Sequence, residues 1–148
     1  MKKLVIYYSH TGSSELVAKT LEEKGYEIRR VEEKKKLPKS FFWSMMVGGF
    51  RAGTAQKGKL IDYNPDVSEY DEIVIATPIW NGLPTPVLNS IIDKTDFRGK
   101  KLSFVFSAGG GEAPKTVEKI HKIFPDANII VLKESKKYPN ELEKIKDL

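Results

Sequence analysis

Cysteine is absent from the 148 residues, and histidine occurs only twice, as His10 and His121. The first absence excludes disulfides, thiol nucleophiles and thiolate metal centres, and the second leaves too few imidazoles for a histidine-rich metal site. No apolar run approaches the about 20 residues that a bilayer-spanning helix requires. The opening Met1-Lys2-Lys3-Leu4-Val5-Ile6-Tyr7-Tyr8 meets polar residues at Ser9, too early for the apolar stretch of a signal peptide. The expected location is the cytoplasm, with no membrane partner. Charge blocks of one sign are also missing. The net charge of +5 is scattered along the chain, and the densest run, Glu32-Glu33-Lys34-Lys35-Lys36, mixes both signs. It reads as a solvated loop, and no nucleic-acid partner is expected.

What is present is ordinary globular material, 40% hydrophobic and 30% charged, of a length that suits one domain over residues 1–148. Apolar patterning switches between short strand-like runs and helix-period stretches, the pattern of βαβ units around a parallel sheet. Leu4 to Tyr8 reads as a buried first strand, Ile73 to Ala76 as a second central strand, and Leu102 to Phe106 and Asn128 to Leu132 as the fourth and fifth strands. Tyr26 to Val31 alternates, with Ile28 between Glu27 and Arg29, and reads as an edge strand. Helices are expected from Ser13 to Lys24, from near Pro84 through Ile92, from about Ala113 through Phe124, and from Asn140 to Leu148. The Phe/Met/Gly-rich stretch Ser40 to Gln56 reads either as core packing or as a flap over a ligand. The resulting fold class is α/β, a doubly wound five-stranded parallel sheet. Right-handed crossovers and the edge-like second strand favour the order 2-1-3-4-5.

Three loops at the carboxyl ends of neighbouring strands carry the chemistry. Ser9-His10-Thr11-Gly12-Ser13-Ser14 joins the first strand to the first helix. A helix start offers unpaired N–H groups and partial positive charge, the hydroxyls add donors, and Gly12 admits close approach. The spacing of a P-loop or dinucleotide fingerprint is missing, so a monophosphate fits better than a triphosphate. The same residues also read as a plain helix cap. Thr77-Pro78-Ile79-Trp80-Asn81-Gly82 follows the central strand; Trp80 either packs beside a flat heteroaromatic ligand or covers the sheet end. Ser107-Ala108-Gly109-Gly110-Gly111 is nearly bare of side chains, so it suits a ligand edge or an ordinary turn. His121 falls beside the Val117/Ile120/Phe124 stripe and reads as a packing residue, while His10 contacts either phosphate or water.

These residues resemble the flavodoxin family. Ser9–Ser14 is similar to its phosphate loop, usually Ser/Thr-x-Thr-Gly-Asn-Thr. Tyr70 to Trp80 looks like its third strand and flavin-contacting loop, and Arg98-Gly99-Lys100-Lys101 with Ser107-Ala108-Gly109-Gly110 resembles its fourth-strand region. Gly48-Gly49-Phe50 resembles a branch of small members. The resemblance spans Leu4 to about Leu132 and implies flavin mononucleotide (FMN) as cofactor. FMN sits at the switch between strands one and three in flavodoxin itself, so that placement comes from the family. Its phosphate is implied at Ser9, His10, Thr11, Gly12, Ser13 and Ser14. The ring is implied between Pro78, Ile79, Trp80, Asn81 and Gly82 on one side and Ser107, Ala108, Gly109 and Gly110 on the other.

Two departures stand out. Ser13-Ser14 replaces Asn-Thr, and Gly replaces the Tyr that often covers the outer flavin face. The expected function is a redox flavoprotein, an electron-transfer flavodoxin first and an NAD(P)H-dependent quinone or flavin reductase second. A scaffold that has lost FMN is a third reading. The expected partner is a redox protein or a small-molecule electron acceptor.

Overall fold

Both faces of the first strand are apolar, so it must be covered on both sides. In the computed structural model, which describes residues 2–9, 12–33, 60–80 and 82–148, it is. The elements are β1 (Lys3–Tyr7), α1 (Ser13–Glu22), β2 (Glu27–Arg30), β3 (Glu32–Glu33), β4 (Leu60–Ile61), β5 (Glu72–Trp80), β6 (Leu83–Pro84), α2 (Pro86–Lys94), β7 (Lys101–Ser107), α3 (Pro114–Ile123), β8 (Asn128–Leu132) and a 3₁₀ helix, Pro139–Ile145. The stretch Ser40 to Gln56 lies outside the described residues, as do His10, Thr11 and Asn81.

The main sheet runs β2-β1-β5-β7-β8, which is the expected 2-1-3-4-5, and these pairings are all parallel. Alternation along the strands sends side chains to opposite faces. Leu4, Ile6, Ile73, Ile75, Phe104 and Phe106 join Val87, Leu88 and Ile91 of α2 and Ile120 of α3 in one core. Val5, Tyr7, Val74, Ala76 and Val105 join Val17, Ala18 and Leu21 of α1, with Ile145, in the other. Each such aliphatic side chain contributes about 1.5–3 kcal/mol on burial, so the two layers hold the sheet.

Several details differ from the sequence pattern. The central strand does not stop at Ala76: Thr77 and Pro78 stay in register with Phe106 and Ser107, and Ile79 and Trp80 turn back onto Pro84 and Leu83. Three further short strands add to the expected five: β6 pairs antiparallel with β5, and β3 pairs antiparallel with β4 in a small separate sheet. Pro84 belongs to β6, and α2 starts at Pro86, where the Thr85 side chain accepts the Leu88 N–H at 3.1 Å. That hydroxyl satisfies a donor the helix leaves free. The short final helix takes the 3₁₀ form, over Pro139–Ile145, a form used in short pieces. Edge strand β2 leaves Ile28 exposed.

Candidate functional site at the carboxyl ends of the strands

In-register pairing of Tyr7 with Ala76, Ala76 with Val105 and Val105 with Ile130 brings the strand ends together, so the loops that follow share one edge. At Gly12 the backbone is left-handed, φ 100°, a conformation glycine adopts without a Cβ penalty. The Gly12 N–H donates to Ser9 Oγ at 3.0 Å, which closes the loop on itself, and the Gly12 carbonyl accepts the Leu16 N–H at 3.1 Å, which opens α1. The next N–H groups, of Ser13, Ser14 and Glu15, are those a helix start leaves without partners. Ser13 and Ser14 are both buried. Ser14 Oγ has no hydrogen-bond partner among the described residues, and leaving such a group unpaired costs about 1–3 kcal/mol.

The Ser13 hydroxyl is occupied differently: it accepts the Lys136 N–H at 3.4 Å, while Ser135 Oγ donates to the Ser13 carbonyl at 3.0 Å. The loop after β8 is thereby fastened to the first turn of α1. Neither Ser135 nor Lys136 stood out in the sequence. The rule that selected the other three loops, position after a parallel strand, applies equally to Lys133-Glu134-Ser135-Lys136.

Across the sheet the second loop is more strand than loop. Pro78 lies partly buried opposite Ser107, and Ile79 and Trp80 are buried in the core, Trp80 at 7% exposure. Trp80 meets Tyr8 edge to face, a placement that favours covering the sheet end over offering an open ring face. Gly82 turns the hairpin at φ 75°, and Thr116 Oγ1 of α3 donates to its carbonyl at 2.9 Å. Thr77 Oγ1 and Ser107 Oγ are buried without partners among the described residues. In the third loop Ala108 is buried and donates its N–H to the Leu132 carbonyl at 2.9 Å. Gly109 and Gly110 are exposed, with nothing within 4 Å of where a Cβ would sit. Gly111 is left-handed, φ 77°, and Lys133 Cγ lies 2.8 Å from its absent Cβ. His121 is exposed, with Nε2 3.3 Å from the Ala127 carbonyl, away from these loops.

The structure thus brings Ser9, Gly12, Ser13 and Ser14 into one cradle at a helix start. It sets Pro78, Ser107 and the bare Gly109–Gly110 turn along the same sheet edge. The fit to a flavin phosphate is good: a left-handed glycine, free amides and the unpartnered Ser14 hydroxyl supply donors where a helix dipole favours an anion. The sheet order and its flanking helices define a flavodoxin-like α/β protein, with a hydroxyl-lined helix start at Gly12–Ser14.

The chain matches the family described as NADPH-dependent FMN reductase over residues 1–136, and it belongs to that family. FMN is accordingly its cofactor. No curated protein matches the chain significantly. Among solved structures, a Bacteroides uniformis protein shares 23% identity at a TM-score of 0.75, covering 86% of this chain and 85% of that one. A flavoprotein from Lactobacillus acidophilus, solved in complex with FMN, shares 18% at 0.74, covering 94% and 97%. Oxidised flavodoxin 1 from Bacillus cereus shares 17% at 0.51, covering 100% and 99%. At these identities the structural likeness establishes the fold.

Proposed function

We propose that this chain is an FMN-dependent oxidoreductase that takes electrons from NADPH and passes them to a small acceptor, free flavin or quinone. The observation that carries the reading is the Gly109–Gly110 turn, which is exposed and has open space around it; with the ring bordered by this turn, a second substrate would have room to approach. Family membership points the same way. FMN, when bound, supplies the two-electron chemistry. The protein's part is to hold the phosphate at Gly12–Ser14 and to border the ring with Pro78 and the Ser107–Gly110 turn. Among the described residues no helix is long and apolar enough to cross a membrane, and a cytoplasmic setting agrees with a pyridine-nucleotide donor.

A second reading, the electron carrier, is favoured by the short turns at Gly82 and Gly109–Gly111, which add no insertion to seat a nicotinamide. One experiment decides between them. The FMN-loaded protein is mixed anaerobically with NADPH and the flavin absorbance is followed, then quinone or free flavin is added. Rapid bleaching and sustained turnover support the reductase. Negligible bleaching, with rapid exchange of electrons with a chemical one-electron reductant, makes the chain a carrier.

A further inference from the structure

We propose that Lys136 is the counter-charge for the phosphate group of the bound flavin, an assignment that rests on the FMN reading above. The loop after β8 is tied to α1 by Ser135 Oγ on the Ser13 carbonyl, 3.0 Å, and by the Lys136 N–H on Ser13 Oγ, 3.4 Å. From that anchor the lysine side chain lies along Gly12. A Cβ at Gly12 would stand 3.4 Å from Lys136 Cδ, 3.8 Å from Cε and 3.6 Å from Nζ. The ammonium is therefore beside the cradle formed by Gly12, Ser13 and Ser14.

Lys136 is exposed and stands beside a helix start. A helix N-terminus carries partial positive charge and disfavours a cation nearby. The acidic residue of that first turn, Glu15, is already shared by Lys19 at 3.9 Å and Arg30 at 3.4 Å. Lys136 has no carboxylate partner among the described residues, whereas Lys137 pairs with Glu134 at 3.3 Å and the Lys133 ammonium lies 5.5 Å from the Tyr138 ring centroid. An ammonium beside a positive helix end, whose first turn also holds the Ser14 hydroxyl, buried and without a partner among the described residues, marks where a phosphate dianion satisfies both groups. The same geometry gives Ser13 a use: a short hydroxyl there accepts the amide that sets Lys136 in place.

The test is a fluorescence titration of the apo chain with FMN and with riboflavin, on wild type, Lys136→Met, Lys136→Arg and Lys137→Met. Methionine keeps the stem over Gly12 and removes the charge. The expected result is a loss of FMN affinity of about tenfold or more with Lys136→Met, riboflavin affinity unchanged, because a charge-assisted contact to phosphate is lost. The salt dependence of FMN binding should weaken in the same variant, and Lys136→Arg should keep most of the FMN-over-riboflavin preference. Lys137→Met should stay within about twofold of wild type, since it is an exposed, already paired cation. Apo Lys136→Met should melt at or above the wild-type temperature. An unchanged FMN/riboflavin ratio in Lys136→Met overturns the assignment, and so does an equal loss in Lys137→Met. Inorganic phosphate, followed by the amide shifts of Gly12 to Glu15, separates the two readings. Phosphate binding that depends on Lys136, without flavin binding, keeps the lysine and overturns FMN. Flavin binding indifferent to Lys136 does the reverse.

Discussion

The rings of Tyr8 and Trp80 meet edge to face, their centroids 6.1 Å apart and their planes at 75°. Tyr8 follows β1 and Trp80 ends β5, so this contact closes the core where the two central strands finish. Both residues are buried. Trp80→Ala should therefore cost about 3–5 kcal/mol of apo stability, the range for emptying a large buried aromatic site. Urea unfolding followed by far-UV circular dichroism checks it, and in a separate Trp43→Phe variant the emission reports Trp80 alone. Blue-shifted emission is expected from the folded chain. A nearly unchanged midpoint would mean that the indole is a surface platform rather than part of the core.

Ser14→Ala separates binding from folding. Its hydroxyl is buried and without a partner among the described residues, so apo stability should hold or rise slightly, because removing an unsatisfied group removes its desolvation cost. FMN affinity should fall by about tenfold, the value of one hydrogen bond to a charged group, and riboflavin affinity should not change. Thermal melts and parallel flavin titrations read the two effects.

At Gly12 the backbone conformation is the constraint. With φ at 100°, Gly12→Ala should lose about 1–2 kcal/mol from the left-handed penalty alone. The new methyl would also stand in contact with Lys136 Cδ at 3.4 Å, where it crowds the lysine's path to the phosphate, so FMN binding should weaken more than riboflavin binding. Equal weakening of both would remove Lys136 from that argument.

Arg98 sets an acid-range titration. Its Nε and Nη2 and its backbone N–H all donate to the Asp96 carboxylate, with Nη2 at 2.7 Å, and these hydrogen bonds lower the Asp96 pKa to about 2. A depressed carboxylate stabilises the fold above its unfolded pKa, about 3.9, and that contribution disappears as pH falls toward 2. Carboxyl carbon chemical shifts should show Asp96 titrating near 2 in wild type and closer to its ordinary value in Arg98→Gln. The variant should also lose less stability between pH 4 and pH 2 than wild type does. Identical titration of Asp96 in both proteins would refute the pairing in solution.

Local sequence carried the strands because each is a short run with its own periodicity: Leu4-Val5-Ile6, Ile73-Val74-Ile75 and Phe104-Val105-Phe106 are buried on both faces in the fold. It also carried the Ser9–Ser14 loop, since a glycine among hydroxyls ahead of a helix is a neighbour-to-neighbour signal. Strand order followed from crossover handedness, which is a property of twisted chains rather than of particular residues. The extension of β5 to Trp80 was not legible, because it depends on pairing with Ser107 and Pro84 rather than on its own residues. Least legible of all was Lys136, which bonds through its amide to Ser13 across a separation of 123 residues. In the sequence it is one lysine among many. Only the return of the last loop across the end of the sheet sets its ammonium beside Gly12, where the helix dipole gives that charge a consequence.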